Sequence, residues 1–107
     1  MHFKLSSSIE NWKKDSIGRV WGRQLLRSGT SAGANIYEAQ GGQSKADFIA
    51  KMSVAHKEAR ESAYWLRLIR DTSLVPSDRL IRGSDETEQF IKVLSSILLS
   101  AKKAREK

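Results

Sequence analysis

Ile17, Trp21, Leu25, Ser28, Ala32, Ile36 and Ala39 recur at intervals of three and four residues. On a wheel of 3.6 residues per turn they fall within about 100° of one another, which is the apolar stripe of a core-facing helix. The stripe runs through "LLRSGTSAGANIYEAQGG" (25–42), a stretch whose Ser, Thr and Gly would otherwise suggest a loop. Its glycines are spaced G-x-x-x-G, with no preceding strand and no G-x-x-x-x-G-K-[ST] or G-x-G-x-x-G pattern, so a phosphate-binding loop is disfavoured. The stretch instead predicts a helix whose Gly29, Ala32, Gly33 and small hydroxyls let another helix approach closely. Gly41 and Gly42 provide its C-terminal stop. The helix starts either at a Ser7/Glu10 capping box or, as preferred here, at Asp15 or Ser16.

Two further stripes follow. Ser44 with Asp47 three residues on reads as an N-cap, with the acid placed where the helix dipole favours it. Phe48, Met52, Ala55, Ala59, Ser62, Ala63 and Leu66 then repeat at helical spacing, widened by Trp65, Leu68 and Ile69. This helix stops near Asp71 or Thr72, ahead of Pro76, the single proline of the chain. Ser77 and Asp78 open a third helix carrying Leu80, Ile81, Ile91, Leu94, Ile97, Leu98 and Ala101, with a break at Gly83–Ser84 as the alternative. No segment alternates with period two, so strands are not expected. The expectation is an all-α, antiparallel up-and-down bundle in one domain, residues 1–107, with helices at about 16–40, 45–71 and 77–104.

Composition removes several chemistries. With no cysteine there is no disulfide, thiolate metal site or cysteine nucleophile. His2 and His56 are the only histidines, and neither E-x-x-H nor H-E-x-x-H occurs. Ser100 and Lys103 match S-x-x-K, without companion motifs and in a basic tail. His56, at the flank of its stripe, reads as a packing residue. No catalytic residue, metal or cofactor is expected. No apolar run is long enough to cross a membrane and the N-terminus lacks a leader's apolar core, so a cytoplasmic protein is expected.

Charge is the positive clue. Nineteen Lys and Arg oppose twelve Asp and Glu, for a net charge of +7. The isoelectric point is near 10.0, a balance suited to a polyanion, nucleic acid above all. Arg19, Arg23 and Arg27 recur every four residues opposite the apolar stripe, preceded by Lys13 and Lys14. Guanidinium groups about 6 Å apart along a helix can track phosphates. These five residues are the candidate nucleic-acid-binding set. Asn35 and Glu38, at the stripe's edge, read as a hydrogen bond across a helix contact and an ion pair with a neighbouring cation. Trp12, Trp21 and Trp65 read as helix-contact residues rather than stacking platforms.

With these residues laid out, the chain resembles the four-helix-bundle proteins encoded by intervening sequences of bacterial 23S rRNA genes. The resemblance runs from Gln24 to the C-terminus. It rests on "QLLRSGTSAGANIYEA" (24–39) and "GGQSKADFIAKMSVAHKEARESAYWLRLI" (41–69). Arg27, Ser31, Ala34, Asn35, Ile36, Glu38 and Ala39 match the family pattern, and Ala32 replaces its usual Ile. The resemblance implies antiparallel helices and a homo-oligomer, usually a pentamer. It implies no catalytic residues. A related protein, the accessory variability determinant of diversity-generating retroelements, is basic and binds nucleic acid and a reverse transcriptase. By analogy the expected function is non-enzymatic binding of nucleic acid, RNA favoured. The alternative is an oligomeric scaffold that docks a protein partner. The family's long apolar first helix is shortened or missing here, since "HFKLSSSIENW" is poorly periodic. Either an exposed stripe seeks a partner helix, or the reading frame begins upstream.

Overall fold

A computed structural model describes residues 2–42, 44–72 and 77–106, with side chains for 16–42, 44–72, 78 and 81–104. It consists of three helices: α1 (His2–Gln40), α2 (Lys45–Asp71) and α3 (Ser77–Glu106). No strand occurs among the described residues. The expected all-α class and the second and third helices are observed, and α3 runs unbroken through Gly83 and Ser84. Two expectations change. The first helix does not begin near residue 16: α1 is one continuous helix of 39 residues. And the described chain supplies three helices, so a four-helix bundle is not completed within it. The weak periodicity of residues 2–15 misplaced the helix start, because helix propagates through weakly patterned sequence once a strong neighbouring segment has nucleated it.

Both sharp boundaries have local causes. Gly41 and Gly42 donate their N–H groups to the carbonyls of Glu38 and Ala39, at 3.1 Å each. A Cβ on Gly42 would lie 3.0 Å from the Ala39 carbonyl oxygen and 3.2 Å from the Asp47 carboxylate, so the turn needs glycine there. Ser44 then caps α2, its Oγ accepting the Asp47 N–H at 3.0 Å. At the other end of α2 the Thr72 N–H and hydroxyl both donate to the Leu68 carbonyl.

The centre is α2, which packs against both other helices, while among the described residues no Cα of α1 comes within 8 Å of one of α3. Ile49, Met52 and Ala59 of α2 cluster with Ala32 and Ala39 of α1 and Leu94 and Leu98 of α3, Ser62 of α2 meets Ser28 of α1, and Ala55 and Ile69 of α2 are also buried. Small residues dominate the α1–α2 contact. Ser28 and Ser62 are both buried and share a hydrogen bond of 2.7 Å. One hydroxyl donates to the other, which leaves the accepting hydroxyl free to donate back along its own helix, to the Leu25 carbonyl for Ser28 or the Glu58 carbonyl for Ser62.

The close approach does not use the glycines, as the sequence suggested. A Cβ on Gly33 would meet nothing within 4 Å, and one on Gly29 only the Ser62 Oγ at 4.0 Å. Ser28, Ala32 and Ala39 make the contact instead. Gly33→Ala is therefore expected to stabilise the fold by about 0.5–1 kcal/mol, the helix-interior penalty of glycine. A rise in the urea midpoint at unchanged slope checks this.

Because α1 and α3 stand apart, the molecule keeps an open groove of about 420 Å³ above α2, lined by Leu26, Gly29, Ala59, Leu66 and Phe90 among others. Leu26 is 67% exposed and Phe90 41%.

Candidate nucleic-acid interface

The predicted basic row falls into three groups. Lys13 and Lys14 lie on α1, outside the residues whose side chains are described. Arg19 and Arg23 are exposed, on the α1 face turned away from α2. Arg27 also has an exposed side chain, yet its guanidinium is held by α2. Nη1 lies 3.3 Å from a Glu58 carboxylate oxygen, Nη2 pairs with Glu61, and Nε donates to Gln24 at 3.1 Å. Arg27 thus ties α1 to α2 and is partly neutralised, while Arg19 and Arg23 keep the phosphate-facing role open.

A second basic row went unread in the sequence. Lys57, Arg60 and Arg67 are exposed on α2, at intervals of three and seven residues, and half-exposed Tyr64 lies between them. Among the described residues none of the three lies within ion-pair distance of a carboxylate. Arg60, Tyr64 and Arg67 line a shallow furrow of about 290 Å³ against Glu88 and Ile91 of α3. The signal was available: these cations sit on the side of α2 opposite Ala55, Ala59 and Ser62. Their unequal spacing hides them beside the regular row of Arg19, Arg23 and Arg27.

The remaining polar candidates serve structure. Glu38 accepts from Lys51 at 2.9 Å, the cross-helix pair expected of it. That hydrogen bond and the Glu38 charge raise the Lys51 pKa above its ordinary 10.5. A raised lysine pKa stabilises the fold below the ordinary value, and the contribution disappears as pH climbs through the raised one. Asn35 differs from expectation. Its Nδ2 donates to the Ser31 carbonyl at 2.9 Å, within its own helix, so it does not bridge to α2. Trp21, Trp65 and His56 are half-buried, as packing residues should be. Trp65 meets Tyr64 edge-on at 5.1 Å between ring centroids. Trp12 lies outside the described side chains. Among the described residues no cluster of His, Asp and Glu could hold a metal ion, and no helix is long and apolar enough to cross a membrane.

Antiparallel helices around a small-residue contact, with cations on the outer faces, define a class of small basic all-α proteins. The particular family is shown by comparison. The model of the 23S rRNA-intervening sequence protein family matches residues 3–96, and the chain belongs to that family. It is also similar to a crystal structure of a protein of unknown function from the S23 ribosomal protein family of Bacteroides thetaiotaomicron VPI-5482. That similarity has a TM-score of 0.71 and 44% identity, over 74% of this chain and 70% of the other. Comparison with curated proteins finds no match.

Proposed function

We propose that this protein is a non-enzymatic, self-associating cytoplasmic helical protein that binds RNA through its basic outer faces. The observation that carries the reading is the placement of the net charge of +7. Arg19 and Arg23 on α1, and Lys57, Arg60 and Arg67 on α2, are exposed rather than folded into the core. Rows of this kind read backbone phosphate, so affinity is expected to depend steeply on salt and weakly on sequence. The family's name supports RNA as the first polyanion to try. Titration of a structured RNA at 50 and 200 mM salt tests it. Binding at low salt that weakens at least tenfold at the higher salt is expected. No binding at low salt, or binding indifferent to salt, refutes it.

One observation favours a second reading, an oligomeric scaffold that docks a protein partner: the apolar groove between α1 and α3. Under that reading, reversing the charges of Arg19 and Arg23 leaves the protein's cellular function unchanged.

A further inference from the structure

The furrow between α2 and α3 sets different chemistry on its two walls. On the α2 wall Arg60 and Arg67 flank Tyr64, four residues before it and three after. They stand about 6 Å and 4.5 Å from it along the helix axis. On the α3 wall are the carboxylate of Glu88 and the apolar side chain of Ile91. Half-buried Ala63 lies between the walls, and its single methyl group leaves the furrow open. A second depression of about 260 Å³ shares Ala63, Arg67 and Glu88 and continues the furrow past Arg70 and Ser84. Tyr64 is 54% exposed although its ring is in edge contact with Trp65. Among the described residues Glu88 has no cation within ion-pair distance, just as Arg60 and Arg67 have no carboxylate. The charges of the two walls face each other without pairing.

We propose that this furrow binds an unpaired nucleotide of single-stranded RNA. The base stacks on Tyr64, the phosphates on either side of it meet Arg60 and Arg67, and the Watson–Crick edge points at Glu88. This rests on the RNA reading above and deepens it by naming the form of RNA that the α2 face takes.

Three observations select this occupant. The first is the ring. A row of cations alone tracks any phosphate backbone, duplex included. An exposed aromatic ring adds a platform for one base, and only an unpaired base can splay out to reach it. The second is order along the helix. With the ring between two guanidinium groups, one stacked base has a cation on each side for its own two phosphates, and exposed Lys57 extends the row to the next.

The third is the sign of the far wall. Free phosphate or an acidic peptide would bring its anions up to Glu88 as well as to the arginines. A nucleotide carries its charge on one side and base-edge donors on the other. Its phosphates lie along α2 while its base crosses to α3, where Ile91 meets an apolar ring face. The cytosine N4 amine donates to a carboxylate, whereas uracil sets its O4 acceptor at the same place. The furrow therefore prefers cytosine to uracil, a modest selectivity that the phosphate rows lack.

Fluorescence anisotropy on the full-length protein tests this with three labelled probes: a short oligocytidylate, an oligouridylate of equal length and a blunt RNA duplex. Tyr64→Ala should weaken oligocytidylate binding on the order of tenfold, with the salt slope unchanged, because stacking releases no counterions. Tyr64→Phe should bind like the unmodified protein. Arg60→Gln with Arg67→Gln should make the single-strand salt slope shallower by about 1.4. The unmodified protein should favour oligocytidylate over oligouridylate by at least about threefold, and Glu88→Gln should erase the difference. Duplex binding should be the same with and without Tyr64→Ala, which also reports that this variant is folded. Oligocytidylate binding indifferent to Tyr64→Ala, an equal loss on the duplex, or equal affinity for the two oligonucleotides overturns the proposal. So does an oligoglutamate that binds as tightly and shares the dependence on Tyr64, which would make the ligand an acidic peptide. Salt-dependent duplex binding with no effect of Tyr64→Ala removes the furrow alone. Failure of every RNA probe to bind at low salt removes the RNA reading itself.

Discussion

Leu94→Ala is expected to cost about 2–5 kcal/mol of folding stability. Leu94 is 2% exposed and belongs to a buried cluster with Ile49, Met52, Ala59 and Leu98. The lost methyl groups forfeit their transfer free energy, and the remaining cost depends on how far neighbours can close the cavity. Here they close it poorly. Ala32 and Ala59 in the same cluster have no rotamers to swing inward, and α2 is already held against α1 by the Ser28–Ser62 contact. A domain of this size has a total stability of about 5–15 kcal/mol, so the loss is a large fraction of the whole. Urea unfolding should show a lower midpoint at unchanged slope. Leu99→Ala, at a neighbouring position that is 60% exposed, should change stability by less than about 0.5 kcal/mol. Equal effects at the two positions would show that α3 does not present the Leu94 face to α2 in solution.

Arg19→Gln combined with Arg23→Gln is expected to lower RNA affinity on the order of 50-fold at 0.1 M salt. Each lost phosphate contact removes about 0.9 from the salt exponent, so the double variant should have a slope shallower by about 1.8. Arg27→Gln should behave differently. Its guanidinium is engaged by Glu58 and Glu61. Its removal should cost less than about 1 kcal/mol of stability, as for an exposed ion pair, and leave the salt slope almost unchanged. Fluorescence anisotropy of a labelled RNA at four salt concentrations measures all three slopes. Equal slopes for Arg27→Gln and the double variant would place Arg27 among the phosphate contacts and sever the link between exposure and function.

The elements legible in the sequence were those whose signals agreed with one another. The α2 start was readable because a capping serine, a first-turn acid and an apolar stripe coincide at Ser44, Asp47 and Phe48. The α1 stop was readable because Gly41 and Gly42 follow the last stripe residue. The α1 start was not, since residues 2–15 carry a thin pattern and the helix is carried into them from the strong segment beyond. The glycine contact was misread for a related reason. Gly29 and Gly33 share the small size of Ser28 and Ala32, and the wheel does not resolve which of several small residues a neighbouring helix meets. The site was half legible. The four-residue spacing of Arg19, Arg23 and Arg27 was visible, but the acids that hold Arg27 lie more than thirty residues away on α2. The α2 cations were obscured because no single interval joins them.

The placement of α2 between the other two helices sets an order of events. α1 and α3 each join α2 through a short connection, 41–44 and 72–76, so both sets of contacts close small loops. Each outer helix packs on α2. The amides of α1 and α3 should therefore exchange with solvent through a smaller opening than those of α2, which exchange only when both partners have let go. The middle helix acts as the template on which the outer two assemble and is the last to be released.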